Sequence, residues 1–202
     1  MSSHHFVKEG QEPALLILDA LKFDVVGPLL EWAPLVLVGQ PALDDVLLWN
    51  IKIDVVLAKE INVKDLSSRL AGQAPLTILS HTSDEVPLIN ALHFLIQKKQ
   101  NAVNIFSAHA DEAIAMAEKF ADHLQINIID GSTKWSAIAS GHIEKWMAAG
   151  TMVFLKKSKR QQSIDLKGLK KLNDHYECLA DGMVRLESRS LFWLGETRFA
   201  EP

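Results

Sequence analysis

Two pairs of adjacent acids stand out in a chain of 202 residues, Asp84-Glu85 and Asp111-Glu112. Each pair follows an apolar run, "PLTILS" at 75–80 and "AVNIF" at 102–106, and precedes an amphipathic stretch. Carboxylates in that position can hold a divalent cation against a phosphate chain. They also suit the positive end of a helix dipole with no ligand at all. His81 and His109 stand just upstream, where an imidazole could join a transition-metal set. A further acid, Glu60, closes "IDVVLAKE" at 53–60, directly after Lys59. Trp135, Trp146 and Trp193 offer flat rings that either stack on a ligand or fill a core. The one cysteine, Cys178, lies near His175 in "HYEC", which reads as a strand edge. A lone cysteine excludes an internal disulfide and a cysteine-only metal site. Neither GxGxxG nor GxxxxGK[ST] occurs, and there is no GxSxG elbow.

The elements that must position these groups follow a regular alternation. Apolar runs at 14–18, 34–38, 53–57, 75–80, 102–106 and 126–130 read as strands. Between them lie helix-length stretches at 25–32, 43–49, 63–71 and 111–123, and one opened by Pro87. That last helix has Ser83 or Asp84 as candidate caps and Leu88, Leu92, Leu95 and Ile96 as an apolar stripe. The alternation predicts an α/β fold: a mostly parallel, Rossmann-like sheet with helices on both faces. In such a sheet ligands collect at the carboxyl ends of the strands, which is where the acids stand. After about Gly131 the pattern changes to "WSAIAS", "TMVFLKK", "GMVRLES" and "SLFWLGE". These short runs predict a small antiparallel, sandwich-like β domain, giving domains at 1–140 and 141–202.

Composition bounds the function classes. Hydrophobic residues make up 48% and charged residues 23%, the balance of a soluble globular protein. A net charge of −4 gives no general attraction to nucleic acid or to an anionic membrane. The local exception, Lys156-Lys157-Ser158-Lys159-Arg160 with Lys167, Lys170 and Lys171, is either a solvated loop or an anion site. No apolar run approaches the roughly 20 residues of a spanning helix. The opening segment lacks the apolar core of a signal peptide, so a cytoplasmic location is expected.

The chain resembles the thiamine pyrophosphokinase family in its Bacteroidetes-type form. The resemblance is carried by "QEPALLILDA", "LLEWAPLVLVGQPALDDVL" and "NIKIDVVLAKEIN", then by "LSHTSDEVPLINALHFLIQKKQNAVNIFSA". "EKWMAAGTMVFL" and "DGMVRLESRSLFWLGE" extend it into the C-terminal part, and 156–179 is the least similar stretch. The resemblance implies an α/β nucleotide-binding domain, a C-terminal β-sandwich and a homodimer. It also implies transfer of a pyrophosphoryl group from ATP to thiamine with Mg²⁺.

The acids that the family's chemistry implies are depleted. Where a GDxDS motif is expected after the third strand, the chain has Ala58-Lys59-Glu60-Ile61-Asn62. A DG turn is replaced by Gln40-Pro41. In the DxxTD position Asp84 remains, but Val86-Pro87 replaces Thr-Asp. Asp111 matches the acid of a GxRxDH segment whose other positions read Ser-Ala-His-Ala. Losing several metal carboxylates together argues against metal-assisted transfer. The expectation is therefore a catalytically inactive thiamine-pyrophosphokinase-like protein, a pseudoenzyme with a residual nucleotide-binding, thiamine-binding or interaction role. The first alternative is an active ATP- and Mg²⁺-dependent thiamine diphosphokinase with a rearranged site. Its candidate catalytic residues are Asp84 and Asp111, and Glu60, Glu85, Glu112 and Trp135 are further ligand-binding candidates. The second alternative is an unrelated α/β binding module. Neither cofactor is expected under the inactive reading.

Overall fold

The computed structural model describes residues 12–131, 133–158 and 163–197. The chain forms two compact units that divide after Ala108.

The first unit alternates strand and helix: β1 (Ala14–Ile17), α1 (Phe23–Val26), β2 (Val36–Gly39), α2 (Leu43–Leu48), β3 (Val55–Lys59), α3 (Val63–Arg69), β4 (Thr77–His81), α4 (Pro87–Gln97) and β5 (Ala102–Phe106). The strand order is β5-β1-β2-β3-β4, and every one of these pairings is parallel. Strands β1 and β2 are buried at every position, which is why they read as unbroken apolar runs. The stretch at 25–32 is not one helix. It divides into α1 and a 3₁₀ turn over Gly27–Leu30, where Pro28 supplies no N–H for a continuing α-helical ladder. Helix α4 buries Leu88, Ala91, Leu92 and Leu95, one face at helical spacing. Its N-cap is Val86, without a side-chain cap, so neither Ser83 nor Asp84 caps it. The Lys52 ammonium donates to the carbonyls of Ile53 (2.7 Å), Gln73 (2.5 Å) and Pro75 (2.6 Å). That clamp joins the approach to β3 with the approach to β4.

The second unit opens with α5 (Ala110–Ala117), which ends sooner than the 111–123 reading and passes into a 3₁₀ turn at Glu118–Phe120. The strands β6 (Gln125–Asp130), β7 (Thr133–Ile138), β8 (His142–Met147), β9 (Met152–Lys157), β10 (Asp165–Lys167), β11 (Leu169–Lys171), β12 (Tyr176–Cys178), β13 (Gly182–Glu187) and β14 (Phe192–Thr197) follow. They form two antiparallel sheets, β11-β12-β9-β14-β7-β6 and β10-β13-β8. Met147, Val153, Cys178, Val184, Leu186, Phe192 and Leu194 draw one core from both sheets, the arrangement of a sandwich. Gly141 is required here: its φ is +71°, and a Cβ would lie 2.4 Å from the Ser188 carbonyl oxygen. Strand β6 turns at Gly131 into β7 and pairs with it, Asp130 opposite Thr133.

Among the described residues, no helix is long and apolar enough to cross a membrane.

Candidate functional site

Because β1 to β5 are parallel, the segments after them share one edge of the first unit's sheet. Backbone and side-chain contacts already engage much of what stands there. Asp19, after β1, accepts from the Ser107 hydroxyl and the Ala108 N–H, both at 2.9 Å. These bonds tie the end of β1 to the end of β5. Gln40, after β2, accepts from the Asn62 side-chain amide at 3.0 Å and the Lys59 N–H at 3.4 Å. Gly39 permits the close approach of β1 and β2, since a Cβ would stand 3.2 Å from the Leu18 carbonyl oxygen.

Strand β3 ends on Lys59, exposed and in register with His81 of β4. Glu60 opens the next 3₁₀ turn, also exposed, and Ile61 beside it is 86% exposed. His81 is buried, with its Nδ1 2.9 Å from the Thr82 carbonyl oxygen. The Glu85 carboxylate accepts from the Thr82 N–H at 2.8 Å, closing the turn that leads into α4. Asp84 is exposed in the middle of that turn.

Asp111 and Glu112 occupy the first turn of α5 in the second unit. Asp111 is ion-paired to Lys156 of β9, and Glu112 is exposed. Trp135 of β7 is 7% exposed. Its ring meets Gly195 of β14, where a Cβ would come within 2.7 Å, and Phe154 at a centroid distance of 6.2 Å. The Lys156 ammonium lies over the same ring. Protein groups therefore already pack the ring that stacking on a ligand would need. Asp130 completes the neighbourhood. Burial raises its pKa, and Asp111 adds to the rise, while Lys156 and Trp135 oppose it. The buried Trp135 Nε1 has no hydrogen bond of good geometry but lies near enough to favour the charged carboxylate.

In the sequence Lys156 stands within a basic run, and nothing local marks it as the partner of Asp111. The two are 45 residues apart, one on α5 and the other on β9, so only tertiary packing brings them together. In the same run Lys159 and Arg160 lie outside the described residues, while Lys167, Lys170 and Lys171 are exposed on β10 and β11.

Among the described residues no three His, Cys, Asp or Glu side chains gather as a metal site. Lys59 sets an exposed positive charge at the end of β3.

A parallel α/β unit followed by an antiparallel two-sheet unit defines an α/β protein with an appended β-sandwich. The solved structures it resembles narrow that class to a thiamine-pyrophosphokinase-like fold. The structure matches thiamine pyrophosphokinase from Bacillus subtilis with a TM-score of 0.70 at 13% identity, covering 92% of this chain and 99% of that one. It matches the thiamin pyrophosphokinase from Geobacillus thermodenitrificans with a TM-score of 0.71 at 11% identity, covering 93% and 99%. The Candida albicans thiamin pyrophosphokinase gives a TM-score of 0.70 at 6% identity, covering 92% and 90%. No protein-family profile matches the sequence, and no curated protein does.

Proposed function

We propose that this chain is a thiamine-pyrophosphokinase-like protein that does not catalyse pyrophosphoryl transfer, and that it keeps a small-molecule-binding or interaction role in thiamine metabolism. The observation that carries the reading is the end of β3, where exposed Lys59 is followed two residues later by Ile61, at the two positions for which the family resemblance implies aspartates. The chemistry of a transferring pyrophosphoryl group rests on metal and fixed positive groups around its oxygens, with carboxylates to hold the metal. Asp19 and Glu85 are engaged in hydrogen bonds that shape the strand-end loops. Asp111, in the second unit, is ion-paired with Lys156. The fold similarity supports a common architecture, and architecture alone does not transmit activity.

The competing reading keeps ATP and Mg²⁺ on a rearranged set that includes Asp84, which is exposed and so accessible. Thermal unfolding with ATP–Mg²⁺, thiamine or thiamine diphosphate, paired with a turnover assay, separates the two. The proposal expects no turnover, and a raised melting temperature with a thiamine compound would identify the retained ligand. Turnover that requires Mg²⁺ and disappears when Asp84→Ala and Asp111→Ala are combined would establish the active enzyme instead.

A further inference from the structure

We infer that the open corner of the second unit's sandwich binds a small organic cation, its apolar body between the sheets and its ammonium head on Asp181. The chain crosses between the two sheets twice at this corner. Gly168 joins β10 to β11, and residues 179–181 join β12 to β13. The crossings frame a cavity of about 420 Å³, within the size range of small-molecule sites. It is built from second-unit residues alone and uses none of the strand-end residues on which the proposed function rests, so either reading can fail without the other.

One glycine makes the room. Side chains alternate along β13, and Val184 and Leu186 point into the shared core. Gly182 takes the preceding inward position, opposite buried Met147 of β8. A Cβ on Gly182 would meet no atom within 4 Å beyond its own chain neighbours, so the chain leaves a core-facing slot unfilled. Leu169, Cys178 and Val184 line the cavity and belong to that apolar core or pack on it. The Cys178 thiol donates to the Ala180 carbonyl at 3.1 Å and serves as a small apolar wall, not as a nucleophile.

The mouth specifies the occupant. Leu179 and Met183 are exposed there, and Trp146 stands opposite Met183 in the β8–β13 register. These three are the exposed large hydrophobics of the second unit among its described residues, so its solvent-facing apolar surface gathers at this corner. Asp181 is the one charged residue that lines the cavity, and it is exposed at the rim. Its Oδ1 accepts from the Ala149 N–H at 2.9 Å, which fixes the carboxylate and leaves lone pairs for a ligand's ammonium. Lys170 lies opposite Glu177, and Lys167 alternates with inward Leu166 and so takes the outer face of β10. Neither lysine lines the cavity, and an anion would meet Asp181 with no cation to balance it.

The test is an NMR titration of the isotopically labelled full chain with phenethylammonium, and with hydrocinnamate, which carries a carboxylate on the same phenylethyl body. Asp181→Asn removes the charge and keeps an acceptor for the Ala149 N–H, and Gly182→Leu places a side chain in the slot. The expected result is saturable amide shifts with phenethylammonium, confined to Gly168, Leu169 and residues 178–184. Binding should be several-fold weaker in Asp181→Asn, absent in Gly182→Leu and several-fold weaker for hydrocinnamate. Should Gly182→Leu fail to fold, the preference for phenethylammonium and its loss in Asp181→Asn decide. The inference is overturned by an absence of saturable shifts up to millimolar probe, by equal binding of hydrocinnamate, or by binding unchanged in either variant.

Discussion

The Lys156 ammonium lies 4.0 Å from the centroid of the Trp135 ring while ion-paired to Asp111. The Asp111 side chain is 85% exposed, so water screens the pair. An ion pair of that kind contributes about 0–1 kcal/mol. Trp135 is buried, and truncating a buried aromatic costs about 3–5 kcal/mol. Urea unfolding should therefore show Asp111→Asn losing under about 1 kcal/mol and Trp135→Ala several-fold more. Equal losses would mean that the ion pair, not the packed ring, organises this corner of the second unit.

Gly195 lies against the same ring, so Gly195→Ala should destabilise by about 1–3 kcal/mol through overpacking. Its added methyl would come within 2.7 Å of Trp135. Combining it with Trp135→Leu should recover part of the loss, since the smaller side chain makes room. Strictly additive losses in the double variant would contradict that contact.

Asp130 makes stability depend on pH with a definite sign. Burial first, and Asp111 second among the raising influences, lift its pKa above the ordinary 3.8. The folded chain thus holds this proton more tightly than the unfolded chain. Its contribution favours folding below the ordinary value and is lost as pH rises through the raised folded value. Asp130→Asn should consequently be at least as stable as the native protein at neutral pH, with the difference shrinking in acid. Melting temperatures across that range check the prediction, and a variant clearly less stable at neutral pH would refute it.

Lys52 gathers three carbonyls from two segments. It is exposed, so the net contribution of the clamp is about 1 kcal/mol. Lys52→Met should lower stability by that amount and speed amide exchange at the start of β3 and β4. Unchanged exchange at Val55 and Thr77 would show that the clamp does not hold those strand starts.

The strands of the first unit were legible because burial on both faces leaves a continuous apolar signature, as in "ALLI" and "VLVG". Their ends were less so. Strand β3 extends to Lys59 rather than stopping at Leu57, since pairing with β4 carries the ladder past the apolar run. In the second unit, β8 reads as "HIEKWM" with a single fully buried side chain, and its strand character comes from pairing with β13. The strands β10, β11 and β12 are three residues each, too short for a periodic pattern.

The candidate site divides along the same line. Residue types alone determined that Gln40 and Lys59 stand at the ends of β2 and β3, because neither side chain can serve as a carboxylate in any fold. The alternation of strand and helix also determined the α/β architecture, since burial periodicity is a local property. Only the tertiary structure decided that Asp111 is ion-paired with Lys156, that Trp135 is packed on Gly195 and that Glu85 closes a turn. The first joins helix α5 to strand β9 and the second is set by the register of β7 and β14, both between elements far apart in sequence. The third depends on a backbone turn that a lone Glu does not announce. What those side chains can still bind is a property of that packing.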